Sequence, residues 1–176
     1  DNNIDDHFYK KITDLILENS DQINGGLRGA PKFPQFFIYE YLLRQLNDER
    51  CLDITEKTLE QICSGGIYDH IGGGISRYTV DEKWLVPHFE KMLYDNAQFI
   101  KILSSLWQIT KKDAYKIKVY ETFSWLIKEM NDQGGAFYSS YDADSEGIEG
   151  KFYVWSYQEL ENILGNDIIF FSNVFN

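Results

Sequence analysis

The stretch Pro87-His88-Phe89-Glu90-Lys91-Met92-Leu93-Tyr94-Asp95-Asn96-Ala97-Gln98-Phe99-Ile100-Lys101-Ile102-Leu103-Ser104-Ser105-Leu106-Trp107 places Phe89, Met92, Leu93, Ala97, Ile100, Leu103 and Trp107 at steps of three and four. That spacing lines one face of an α-helix. Pro87 suits a first helical position, where its missing N–H has no partner to lose. Only Thr110-Lys111-Lys112 separates this helix from Tyr115, Val119, Phe123, Leu126 and Met130, which repeat the pattern. A link that short folds two helices back on each other as a hairpin.

Outward from this hairpin the same logic recurs. Phe8, Ile12, Leu15 and Ile16 predict a helix over 5–19, and Phe37, Tyr41, Leu42 and Leu46 one over 35–47. A third runs from about Ile54 to Cys63 with Asp53 as N-cap and Glu56 three residues on. A last one starts at Ser156, with Glu159 completing a capping box, and stops at Gly165. Between helices lie Gly clusters at 25–29, 65–74 and 134–150, so long loops sit opposite the short hairpin turns. Alternation in 136–139 and 151–155 predicts two short strands paired around Asp144-Ser145-Glu146-Gly147. The expected class is mainly α, built from helical hairpins, with a short β-hairpin near 136–155. Asn24-Gly25-Gly26, Ser64-Gly65-Gly66 and Gln133-Gly134-Gly135 read as an imperfect repeat, each following a helix.

Of 176 residues, 28 are acidic and 17 basic, giving a net charge of −11. Such a chain is repelled by phosphate backbones and anionic lipid, so nucleic-acid and membrane partners are not expected. No apolar run reaches the roughly 18 residues a bilayer span needs. Cys51 and Cys63 form no CxxC pair and read as idle thiols of a reducing, cytoplasmic compartment. The start at Asp1, without Met, reads as a piece of something longer.

Three clusters carry candidate chemistry. In the first, Tyr68 to Trp84, the Gly72-Gly73-Gly74 triplet lacks the Gly-Lys-Ser/Thr of a phosphate loop, leaving Asp69, His70, Arg77 and Tyr78 on backbone that a ligand can approach. Asp69 pairing with Arg77 to hold the loop is the structural alternative. In the second, His88 falls in the first turn of the expected helix, where the dipole favours a neutral, proton-accepting imidazole. Lys91 and Asp95, four apart, read as an ion pair on that helix. In the third, Asp142, Asp144, Glu146 and Gly147 copy the start of a calcium loop, but its twelfth position would be Tyr153, so an EF-hand is rejected and no metal or cofactor is assigned. Residues 132–176 supply −7 of the net charge, and seven aromatics crowd residues 134–157. Carboxylates beside aromatic faces suit a neutral polyol, and paired carboxylates also run glycoside chemistry. A hairpin tip of solvated acids over an aromatic core is the alternative.

Taken together, Gly29-Ala30-Pro31-Lys32-Phe33-Pro34, Gly65 to Gly74, Arg77-Tyr78, Trp84 to Ala97 and Asp142 to Gly147 resemble the family of bacterial YyaL-type proteins and the animal spermatogenesis-associated thioredoxin-like protein. The resemblance implies an N-terminal thioredoxin-like domain followed by an (α/α)6 toroid similar to six-hairpin glycosidases and N-acylglucosamine 2-epimerases. On that reading, residues 1–176 are a single partial toroid domain, without the thioredoxin-like part and the remaining hairpins. In the related epimerases cavity histidines act as acid and base, and His88 is the residue most similar to one; His70 substitutes only if its loop turns into the cavity.

The resulting expectation is a small-carbohydrate site with His88, His70 and Asp142 as catalytic candidates. Asp69, Arg77, Tyr78, Trp84, Glu90, Tyr141, Asp144 and Glu146 would contact substrate. The rivals are a helical scaffold presenting an acidic surface to a partner or to its thioredoxin-like domain, and motifs that are architectural throughout. Half a ring also exposes helix faces meant for neighbours, so self-association is expected.

Overall fold

The computed structural model describes residues 6–175. Their contacts divide them into two compact units, one running to Ala143 and the other starting at Asp144.

The first unit is built on the expected hairpin. Helix α4 (Leu93–Thr110) turns at Lys111, which adopts the left-handed conformation (φ 60°) and closes the helix onto the Trp107 carbonyl, and α5 (Asp113–Trp125) packs back on it. Phe99, Ile102, Leu103 and Leu106 line the buried face of α4. Before them come α1 (Asp6–Asn19), α2 (Phe36–Leu42) and α3 (Glu49–Ser64); α1 packs on α3, and α2 lies against both α3 and α4. The shared core joins Phe36, Tyr39, Leu59, Ile67, Tyr68 and Trp84 to the α4 face. Among the described residues, no helix is long and apolar enough to cross a membrane.

The differences from the sequence expectation have local causes. Helix α3 starts earlier than residue 54, because Asp48 and not Asp53 caps it by accepting the Arg50 N–H. Helix α2 ends at Leu42, where successive N–H groups bond three residues back and tighten the chain into turns. After Trp125 the helix widens into a π-helical turn, Leu126–Met130. The largest correction concerns residues 87–92, which are not helical. Their backbone is claimed by residues 77–80 and by strand β1 (Lys91–Met92), which pairs with β2 (Ser140–Tyr141) in the register Lys91↔Tyr141. Helix α4 therefore begins at Leu93, and His88 lies outside it.

In the second unit, β3 (Asp144–Ser145) pairs with β4 (Ile148–Glu149). Glu146 (φ 54°) and Gly147 (φ 74°) form a two-residue turn of the kind that matches strand twist, so the pairing is immediately beside it and not at 136–139 with 151–155. Helix α6 (Tyr157–Leu164) carries the expected Ser156–Glu159 capping box and ends at Gly165, and α7 (Ile168–Phe175) packs on α6.

Candidate functional site

Three extended segments lie side by side in the first unit. Lys32 bridges Thr79, and Thr79 bridges Pro87, both antiparallel. Stepping one residue along each register sets Phe33 beside Tyr78 and Tyr78 beside His88. Their rings accordingly form a ladder: Phe33 on Tyr78 at 4.6 Å and 30°, Tyr78 on His88 at 4.8 Å and 18°. Both spacings match the distance between neighbouring strands. The sheet itself thus stacks the imidazole.

Beyond His88 the chain makes a three-residue turn, with the Glu90 N–H donating to the His88 carbonyl at 2.7 Å and Phe89 at φ 57°. A positive φ on a bulky residue is strained and persists only where its surroundings impose it. Here the imposition is visible: His88 N–H donates to the Tyr78 carbonyl, and two residues later the Arg77 N–H donates to the Glu90 carbonyl. The turn puts Glu90 against Arg77, whose Nη1 donates to Oε2 at 3.2 Å. Tyr94 and Asp95, on the first turn of α4, adjoin this pair. Burial pushes the Asp95 carboxyl up to about 6, with Arg77 opposing the rise and Glu90 adding to it. Its Oδ2 is buried and accepts no hydrogen bond. The β1–β2 register puts Asp142, which is exposed, one step beyond Tyr141 on the side of Glu90.

The other expected site residues are distributed differently. Asp69 is committed: Oδ1 accepts the N–H groups of Ile71 and Gly72, and Oδ2 accepts Lys91 Nζ at 2.7 Å. Burial alone would raise its carboxyl, but the Lys91 charge and these donors hold it below the usual carboxylate range. Two expected ion pairs are thereby exchanged, since Lys91 binds Asp69 instead of Asp95 and Arg77 binds Glu90 instead of Asp69. Trp84 is fully buried and its indole N–H donates to the Asn24 carbonyl, so it is core and not a ligand face. His70 sits at the end of α3, with Nε2 3.0 Å from the Gly65 carbonyl and its ring on the edge of Tyr68. Tyr141 donates to Glu129. Asp144 and Glu146 belong to the hairpin of the second unit, where Glu146 pairs with Lys151. The argument from the helix dipole for a neutral His88 lapses with the helix.

Sequence reasoning missed Phe33 and Asp95 as site residues. Phe33 stands inside the Gly29 to Pro34 motif, but its partner is visible only once Lys32 is paired with Thr79. Among the described residues, no three His, Cys, Asp or Glu side chains gather to hold a metal ion. Burial raises the Cys51 thiol to about 11 and the Cys63 thiol to about 12, which disfavours the reactive thiolate in both.

No family model matches the chain. It is 35% identical to human spermatogenesis-associated protein 20 over 86% of its own length, and 34% identical to the mouse protein over the same share. An uncharacterized protein of Caenorhabditis elegans is 34% identical over 99% of the chain. The chain is homologous to a segment of spermatogenesis-associated protein 20. It spans 21% of the human and mouse proteins and 26% of the nematode one. Among solved structures it resembles a cellobiose 2-epimerase from Bacillus thermoamylovorans (TM-score 0.64, 12% identity, 96% of this chain and 53% of that one). A sugar epimerase from a ruminal bacterium gives TM-score 0.61 at 18% identity, covering 92% of this chain and 49% of that one. A family 76 mannosidase from Bacteroides thetaiotaomicron gives 0.54 at 13% identity, covering 82% and 43%. These likenesses show the fold: helical hairpins of an (α/α)6 toroid.

Proposed function

We propose that this chain supplies part of the wall of a carbohydrate-directed cavity, in which a sugar is bound or acted upon. The observation that carries the reading is the Phe33–Tyr78–His88 ladder beside the Arg77–Glu90 pair. A sugar ring has an apolar face that stacks on aromatic rings and a rim of hydroxyls that donate to carboxylates and accept from a guanidinium. Glu90, Asp95 and Asp142 offer the acceptors, Arg77 the donor, and the His88 ring nitrogens one more donor or acceptor. Three of its fold neighbours are two sugar epimerases and a mannosidase, which supports the reading. His70 and Tyr141 are further contacts within it; Asp69 and Trp84 shape the loops of this unit. A thioredoxin-like domain elsewhere in the full-length protein is its expected neighbour.

Titration of the protein with a panel of mono- and disaccharides, followed by NMR at the His88 and Tyr78 rings, tests this. Shifts at both rings with at least one sugar are expected; a panel that moves neither overturns the reading.

A second reading, a helical scaffold, is favoured by one feature. Ile117, Tyr120, Phe123 and Ile127 form an exposed apolar stripe along α5 and the turn that follows it. The stripe makes self-association, or docking to a further hairpin, the expected behaviour of this piece. Sedimentation as a clean monomer at high concentration would contradict self-association.

A further inference from the structure

Two loops distant in sequence are built to one plan. In Asp21-Gln22-Ile23-Asn24-Gly25-Gly26, the Asp21 carboxylate accepts the N–H groups of Ile23 and Asn24, its own N–H donates to the Gly26 carbonyl, and its carbonyl accepts from Gly25. In Asp69-His70-Ile71-Gly72-Gly73-Gly74, Asp69 makes the same four bonds with Ile71, Gly72, Gly74 and Gly73. All four glycines of the two Gly-Gly pairs have positive φ, from 69° to 89°.

Each loop also grips one buried lysine. Lys32 Nζ donates to Asp21 Oδ2 at 2.8 Å and to the Gly25 carbonyl at 2.7 Å, and lies 5.2 Å from the Trp84 ring centre. Lys91 Nζ donates to Asp69 Oδ2 at 2.7 Å and to the Gly73 carbonyl at 2.8 Å, 4.8 Å from the Trp125 ring centre. In both, the second glycine abuts the tryptophan: a Cβ on Gly26 would come within 2.5 Å of Trp84, and one on Gly74 within 2.8 Å of Trp125. The lysine side chains are 1% and 2% exposed.

The residues beside these lysines are the ends of the candidate site. Phe33, next to Lys32, closes one end of the ring ladder; Glu90, next to Lys91, holds Arg77 at the other. We infer that Lys32 and Lys91 are positioning residues, two copies of one Asp–Lys–Trp cage that fix Phe33 against Tyr78 and Glu90 against Arg77. A buried ammonium held by an anion, a carbonyl and a ring face cannot slide, so the strand that carries it is fixed in register. This rests on the ladder itself and on no particular ligand.

The test uses the ligand-free protein. The double variant Asp21→Asn/Lys32→Met neutralises the cage without leaving a lone buried charge. The His88 ring protons, displaced upfield by the Tyr78 ring, are expected to move toward free-histidine positions in it. In Asp69→Asn/Lys91→Met, the Arg77 side-chain resonances are expected to move. Should the pair variants fail to fold, Trp84→Phe, which keeps the ion pair and alters only the ring under Lys32, gives the same comparison. A folded variant with a lower Tm but unchanged His88 resonances would overturn the inference, because a structural staple lowers stability without moving the ladder. Sugar binding does not enter the readout, so failure here and failure of the carbohydrate reading remain distinct.

Discussion

The His88 imidazole lies nearly parallel to the Tyr78 ring, 18° from coplanar with centres 4.8 Å apart, and Tyr78 is covered on its other side by Phe33. An aromatic pair of this kind contributes about 0.5–1.5 kcal/mol beyond area burial. Tyr78→Leu interrupts both pairs. It is expected to cost about 1–3 kcal/mol in urea unfolding and to abolish sugar-induced shifts at His88. Retention of those shifts would remove the ladder from the binding surface.

Asp95 and the caged aspartates give the pH profile opposite signs. Burial raises the folded Asp95 carboxyl to about 6 from 3.8, so the folded state takes up this proton first and stability rises as pH falls from 7 toward 5. Asp21 and Asp69 are held below the usual carboxylate range despite their burial, so their contribution is present above about pH 4 and lost as pH falls further. Arg77, Glu90 and Tyr94 face Asp95 and set its share. Asp95→Asn is expected to raise Tm clearly more at pH 7.5 than at pH 5, the gain disappearing only as pH falls below the unfolded value of 3.8. Equal gains at both values would contradict the assignment.

Breaking one cage by a single substitution should be severe. Lys91→Met leaves Asp69 charged and without its ammonium, and loss of one partner of a buried pair costs about 3–5 kcal/mol. Chemical denaturation of this variant beside Asp69→Asn/Lys91→Met measures the difference, with the double variant the more stable of the two.

Lys111 invites the opposite change. It is exposed and occupies the left-handed position after α4 (φ 60°), where glycine carries no Cβ penalty. Lys111→Gly is expected to stabilise by about 0.5–1 kcal/mol, read as a higher urea midpoint with an unchanged slope.

The thiols provide a probe of opening. With Cys51 and Cys63 raised far above neutral, iodoacetamide at pH 8 should label neither in the folded protein and both in urea, as counted by intact mass.

The α4–α5 hairpin was legible in the sequence because its cause is local: apolar spacing on each helix and a three-residue link. Residues 87–90 were not, because their conformation is set by bonds to residues 77–80, and the apolar steps at Phe89 and Met92 imitate a helical turn that those bonds forbid. The repeat was half legible. Counting Gly-Gly pairs aligned residue 24 with residue 64, whereas the hydrogen bonds align Asp21 with Asp69, and Gly65 is simply the cap of α3. Asp132, before the third Gly-Gly pair, makes a different loop: its Oδ1 accepts the Ala136 N–H four residues on, and its own N–H donates to the Ala136 carbonyl. The aspartate, not the glycine, marks the motif. Arg77, Tyr78, His88 and Glu90 were selected by residue type and motif, but their mutual arrangement needed the pairing of residues 77–80 with 86–90, and that of Phe33 the pairing of segments more than forty residues apart.

That separation has a practical consequence. Phe33, Tyr78 and His88 come from three stretches that no single helix joins, so their ring-current signature reports assembly where far-UV circular dichroism reports only helix content. A refolding chain with full ellipticity but an ordinary His88 spectrum would have its secondary structure and still lack its tertiary address. The ladder is a built-in marker of tertiary assembly.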